Sequence, residues 1–153
     1  MPRQFRFTAG WDHPAEPGRV VEVLADIGAY PQWWPQVRAV RRLDERTVRA
    51  VCRSFLPFTL DLVLTRVVED RVAGLLEADI GGDLTGWSRW TLEPYAGGTR
   101  LGYEQEVDVA SPGLARAARH LGPLLEANHA WMMRGARRGL LRQVPGPDGG
   151  TAG

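Results

Sequence analysis

Between residues 37 and 109 apolar and polar side chains alternate with the period of half-buried strands. Val48, Ala50, Cys52 and Ser54 share one parity, and Phe58, Leu60, Leu62 and Leu64 share the next. Val72, Gly74, Leu76, Ala78 and Ile80 form a third face, and Leu84, Gly86, Ser88, Trp90 and Leu92 a fourth. Leu101, Tyr103, Gln105, Val107 and Val109 form a fifth. Turn chemistry separates these runs at Leu43-Asp44-Glu45-Arg46, Glu69-Asp70, Gly81-Gly82-Asp83 and Gly97-Gly98. With Val37–Leu43 the pattern predicts six antiparallel strands in a meander with one wet face. Phe5 and Phe7 add a short strand at the start of the chain.

Helical spacing flanks this block. Pro14 and Pro17 suit a first helical turn capped by Asp12 or His13, and Val20, Val23, Leu24 and Ile27 continue it to Gly28. The segment Tyr30-Pro31-Gln32-Trp33-Trp34-Pro35 holds too much proline for a long helix and predicts a single turn with its aromatics inward. Ser111-Pro112 opens a final helix whose stripe runs through Leu114, Ala118, Leu121, Leu125, Asn128, Met132, Gly135 and Gly139. Gly122-Pro123 inside it predicts a kink or short break.

A sheet with one wet face must be covered on the other, and only the last helix is large enough. The expected fold is therefore α+β: a curved seven-stranded antiparallel sheet wrapped around a long C-terminal helix, with two short helices after the first strand. One domain spans residues 1–143, and residues 144–153, VPGPDGGTAG, read as a disordered tail.

Composition narrows the chemistry. The 153 residues carry 19 cations and 18 anions, too balanced for a general nucleic-acid binder. Every cation is an arginine, which excludes Schiff-base chemistry and a P-loop lysine. One cysteine and three scattered histidines argue against a disulfide, a metal centre or any built-in cofactor. The N-terminus has no signal-like core and no run reaches the ~18 apolar residues of a span, so a cytoplasmic protein without an integral membrane segment is expected. Oligomeric state is left open.

The order of elements and the local patterns resemble the START-like, or helix-grip, superfamily (SRPBCC), in its polyketide cyclase/dehydrase and lipid-transport branch. The matching stretches are Pro14 to Asp26, Y-P-Q-W-W-P at 30–35, W-T-L-E-P-Y-A-G-G-T-R-L at 90–101 and E-Q-E-V-D at 104–108. Within that branch the chain is similar to aromatase/cyclase domains, which fold and dehydrate poly-β-ketone chains. The resemblance places a family catalytic arginine on Arg66. A family cavity tyrosine falls near Val37 and a second family arginine near Glu77, so the chain departs from the pattern at both.

Small residues on the inward parity (Ala50, Cys52, Ser54, Gly74, Ala78, Gly86, Ser88) either let the helix approach closely or leave a pocket, and the pocket is the expectation here. Trp33, Trp34, Trp90, Tyr103, Trp131, Met132 and Met133 are its candidate apolar walls, with ordinary core filling as the rival reading. Trp87 falls on the outward face, and Trp11 precedes the first helix. Arg66 shares the parity of Leu60, Leu62 and Leu64. It either points inward to stabilise a ligand anion or enolate, or ends the strand and reaches water, or is turned outward by a bulge.

Tyr103 and Gln105 can orient a carbonyl or hydroxyl. Asn128 needs a partner in its apolar stripe, and His129 beside it suits a general base or a rim position. Cys52 reads as a small wall residue rather than a nucleophile. Arg134, Arg137, Arg138 and Arg142 complement the helix dipole and solvate the outer face. The expected function is binding of a small hydrophobic ligand, lipid-like or polyketide-like, by Trp33, Trp34, Cys52, Trp90, Gln105, Asn128, Trp131 and Met132. The alternatives are a polyketide aromatase/cyclase using Arg66 with Tyr103 or His129, and a protein-interaction module using the arginine-rich helix end.

Overall fold

The computed structural model describes residues 5–53 and 59–146, apart from the side chains of Ala117, Ala118 and Leu121. Ser54 and Phe58 of the inward-face reading and the tail from residue 147 lie outside the described residues, as do the side chains of the stripe positions Ala118 and Leu121.

The strands are β1 (Phe5–His13), β2 (Val37–Arg42), β3 (Thr47–Arg53), β4 (Thr59–Asp70), β5 (Leu75–Gly82), β6 (Leu84–Tyr95) and β7 (Gly98–Val109). They form one antiparallel sheet in the order β1-β7-β6-β5-β4-β3-β2. Helix α1 (Pro17–Ala25) and a 3₁₀ turn (Ile27–Gln32) join β1 to β2, which sit on opposite edges. Helix α2 (Pro112–Gln143) covers the inner face. This is the α+β helix-grip architecture that the alternation and the two short helices predict.

Several boundaries differ from the sequence reading. β1 keeps its alternation to His13, so Trp11 belongs to the strand. His13 caps nothing: it is 2% exposed, its Nδ1 accepts from the Ala15 N–H at 3.0 Å, and its Nε2 lies 3.4 Å from the Leu140 carbonyl. With Thr99 Oγ1 donating to the Ala15 carbonyl at 2.7 Å, it fastens the β1–α1 corner to β7 and the end of α2. α1 starts instead after Glu16, with proline in its first turn and no side-chain cap.

Val72 and Gly74 lie in the β4–β5 turn rather than on β5. Gly74 adopts φ +72°, which a side chain disfavours, and Val72 is fully exposed. α2 is one uninterrupted helix, with Pro123 inside it and no break. Packing also runs past Gln143. Val144 is 3% exposed, and the Pro145 carbonyl accepts from Arg19 at 3.3 Å.

Two glycines set how closely α2 sits. A Cβ on Gly139 would lie 1.6 Å from the Trp33 carbonyl oxygen, and one on Gly135 1.8 Å from Gln36 Oε1. At these two positions small size serves close approach of the helix to the segment after the 3₁₀ turn.

Candidate functional site

Between the sheet and α2 lies a cavity of about 150 Å³. Its floor is the inward parity of the strands: Ala50, Cys52, Leu60, Leu62, Ala78 and Ser88. Leu125, Asn128, His129, Met132 and Met133 close it from α2, and Leu24, Ala25, Ile27 and Tyr30 from α1 and the turn. Period-two strands can present only alternate residues to one side, which is why so apolar a floor is backed by charged side chains such as Arg49 and Asp61.

One wall is a run of rings from four elements and the loop before β2. Trp34 meets Trp90 edge-on at 6.4 Å, and Trp90 meets Tyr103 at 4.7 Å. Tyr103 stacks on His129 at 5.7 Å, and His129 on Phe7 at 4.3 Å with planes 9° apart. Phe5 follows at 6.0 Å. Trp34 is fixed by its indole N–H, which donates to the Met132 carbonyl at 2.9 Å. Tyr30, buried behind it, donates its hydroxyl to the Leu24 carbonyl at 2.5 Å.

The polar atoms on this wall are uncharged at neutral pH. Burial holds the Tyr103 phenol well above its usual range, and its hydroxyl donates to Gln105 Oε1 at 2.6 Å. Burial likewise pushes the Cys52 thiol up to about 12, so it is a wall residue rather than a nucleophile. Burial lowers His129 to about 4, and its Nε2 is buried without a hydrogen-bond partner. The Asn128 amide lies 4.0 Å from Met132 Sδ.

Arg66 ends the Leu60–Leu62–Leu64 face, just before a one-residue register shift between β4 and β5. It lines the cavity at its α1 side, with its side chain 34% exposed. One guanidinium nitrogen donates to the Ala25 carbonyl at 2.9 Å and the other lies 3.3 Å from Glu69. The bulge therefore falls after Arg66 and leaves its parity intact, while the charge is satisfied by the end of α1 and by Glu69.

Register shows how far Arg66 stands from the other candidates. Arg66 pairs Ala78, Ala78 pairs Ser88, and Ser88 pairs Gln105, so three strand spacings, ~14 Å along the sheet, separate it from β7. Tyr103 and His129 are brought together, and Arg66 is not brought to them. Glu77, where the family pattern has an arginine, bonds instead with Arg89 on the neighbouring strand.

Of the expected ligand contacts, Trp34, Cys52, Trp90, Gln105, Asn128 and Met132 line the cavity, and Trp33 and Trp131 do not. Trp33 turns to α2, its carbonyl and ring under Gly139. Trp131 precedes Met132 by one residue, and ~100° of helical rotation carries it off the cavity face. Tyr30, Phe5 and Phe7 line the cavity without being among the expected contacts, although the alternation of Phe5 and Phe7 already puts them on one face.

A model of the family described as polyketide cyclase / dehydrase and lipid transport matches residues 4–144. No curated protein matches the chain. Among solved structures the chain is similar to the aromatase/cyclase Zhui of Streptomyces sp. R1128, with 16% identity, TM-score 0.76, and coverage of 91% of this chain and 92% of that one. It is similar to TTHA0849 of Thermus thermophilus at 18% identity and TM-score 0.74, covering 91% and 99%. A START superfamily protein of Mycobacterium smegmatis matches at 17% identity and TM-score 0.58, covering 80% and 94%. At these identities the structural likenesses speak to fold.

Proposed function

The chain belongs to the polyketide cyclase / dehydrase and lipid transport family, and from that premise we propose that it binds a small hydrophobic molecule, lipid-like or polyketide-like, between sheet and α2. The observation that carries this reading is an apolar cavity in which Tyr103, Gln105, Asn128, Cys52 and His129 carry no charge at pH 7, while the two charged lining residues, Arg66 and Glu77, are paired with Glu69 and Arg89. Such a wall accepts an apolar body and can hydrogen-bond one oxygen of it. At about 150 Å³ the space matches a cavity that takes a single aromatic ring. Larger guests, the fused rings of naphthalene included, are accommodated by rotamer changes of Met132 and Met133, flexible thioethers on α2.

Filling the space from the floor tests this. Ala78 is 9% exposed and lines the cavity. Ala78→Leu is expected to weaken naphthalene binding, followed by its fluorescence, by about tenfold or more while leaving the melting temperature equal or higher. Wild-type protein that fails to bind naphthalene, or a variant that binds it equally well, would sink the reading.

Catalysis is favoured by one observation, the lining position of Arg66. A cyclase would need a substrate long enough to reach Tyr103 or His129 from it. Because the guanidinium is already satisfied by Ala25 and Glu69, the expected outcome with a surrogate poly-β-ketone is recovery unchanged. Water release that Arg66→Ala abolishes would establish the enzyme instead.

A further inference from the structure

A second hollow, about 440 Å³ and open to solvent, runs between β1 and α2. Its lining shares three side chains with the inner cavity: Phe7, His129 and Met133. These three form a partition one side chain thick, in which the Phe7 and His129 rings stack at 4.3 Å. Outside the partition stand Arg6, Arg134 and Arg137, with Glu126 as the acidic member.

The three arginines are not equivalent. Arg6 lies 3.6 Å from both Glu104 and Glu106 on β7. Arg134 and Arg137 have no ion-pair partner among the described residues. They are three residues apart on α2, so their side chains leave the same face ~5–6 Å apart. Glu126 is eight residues before Arg134, ~12 Å along the helix, too far to occupy them. Two polar atoms of the lining residues, Trp11 Nε1 and His129 Nε2, are buried without a partner.

We propose that this groove is the outer end of the ligand site and that the guest is an amphipathic carboxylic acid. Its apolar body occupies the cavity, its chain passes the Phe7–His129–Met133 partition, and its carboxylate lies on Arg134 and Arg137. The inference rests on the binding function proposed above and adds the class of ligand. The uncharged wall of rings supports this division, because a carboxylate drawn inside would be desolvated without a free counter-ion. Arg66, on the α1 side of the cavity, is already paired with Glu69. At the groove the planar guanidinium forks match the carboxylate and water remains available.

Competition against naphthalene separates the two ideas. An ω-phenylhexanoate is expected to displace it from wild type at roughly five- to tenfold lower concentration than the matching ω-phenylhexanol. In Arg134→Gln/Arg137→Gln that preference disappears by loss of acid affinity, with the alcohol and naphthalene unchanged, while Arg142→Gln, away from the groove, retains it. Equal affinity of acid and alcohol for wild type, or a preference that survives the double substitution, overturns the proposal while naphthalene binding leaves the cavity function standing. Absence of naphthalene binding to wild type overturns both.

Discussion

Gly139→Ala is expected to lower stability by about 3 kcal/mol or more, which for a chain of this size is a melting temperature lower by ~10 °C. The added Cβ would meet the Trp33 carbonyl oxygen at 1.6 Å and the next backbone atom at 2.7 Å. Backbone cannot rotate away, so α2 or the Trp33 segment has to move. The better helix propensity of alanine, ~1 kcal/mol, is too small to compensate.

Gly135→Ala provides the internal control. Its Cβ would meet Gln36 Oε1, the end of a flexible side chain that carries no hydrogen bond on that oxygen. A new rotamer relieves the clash at the loss of the long 3.4 Å bond from Gln36 Nε2 to the Trp131 carbonyl, and the propensity gain offsets most of that loss, leaving a change within about 1 kcal/mol. Chemical denaturation of both variants checks the pair. Equal effects would show that the helix is not held where the geometry places it.

The second large effect is a loss of stability in mild acid. Folded protein keeps His129 neutral down to about pH 4, whereas the unfolded chain protonates it near pH 6.5. Below pH 6.5 the unfolded state therefore binds more protons, and stability falls as pH drops toward 4 by up to about 3 kcal/mol. His13 has a lowered pKa from burial as well, so it works in the same direction. Asp44 and Asp61, held below their usual range by hydrogen bonds, lose their contribution only at lower pH. His129→Phe preserves the stack on Phe7 and is expected to flatten most of the slope between pH 7 and 5 in urea denaturation. A slope that persists in full would assign it to His13 or to groups elsewhere.

Period-two alternation is enough to predict the sheet, because each strand has a wet back and a dry front, and a single slip would invert every side chain. Boundaries are harder to read. Val72 looks like a strand residue until Gly74 takes a positive φ and turns the chain, leaving Val72 in solvent. Pro123 reads as a helix breaker, yet at this exposed position, about three turns into α2, the helix continues through it.

The cavity wall is legible where parity decides the direction of a side chain, as for Trp90 and Tyr103 on β6 and β7. It is not legible between Trp33 and Trp34. Neighbours on an irregular turn follow no period, and the difference depends on Gly139 lying over one of them. The arginines of α2 show the same limit. Sequence places Arg134 and Arg137 in a solvated cluster with Arg138 and Arg142, and only the path of β1 beside the helix sets the first two apart.

That path also imposes an order of events on synthesis. β1 lies at a sheet edge and pairs only with β7, Phe5 opposite Val107, about a hundred residues later. As the chain leaves the ribosome, this segment has no strand to join until β7 has been translated. The six-strand meander from β2 to β7 can assemble by local hairpins in the meantime. The ring wall through Phe5 and Phe7 thus cannot close before β7 is made, and its His129 member arrives later still, on α2.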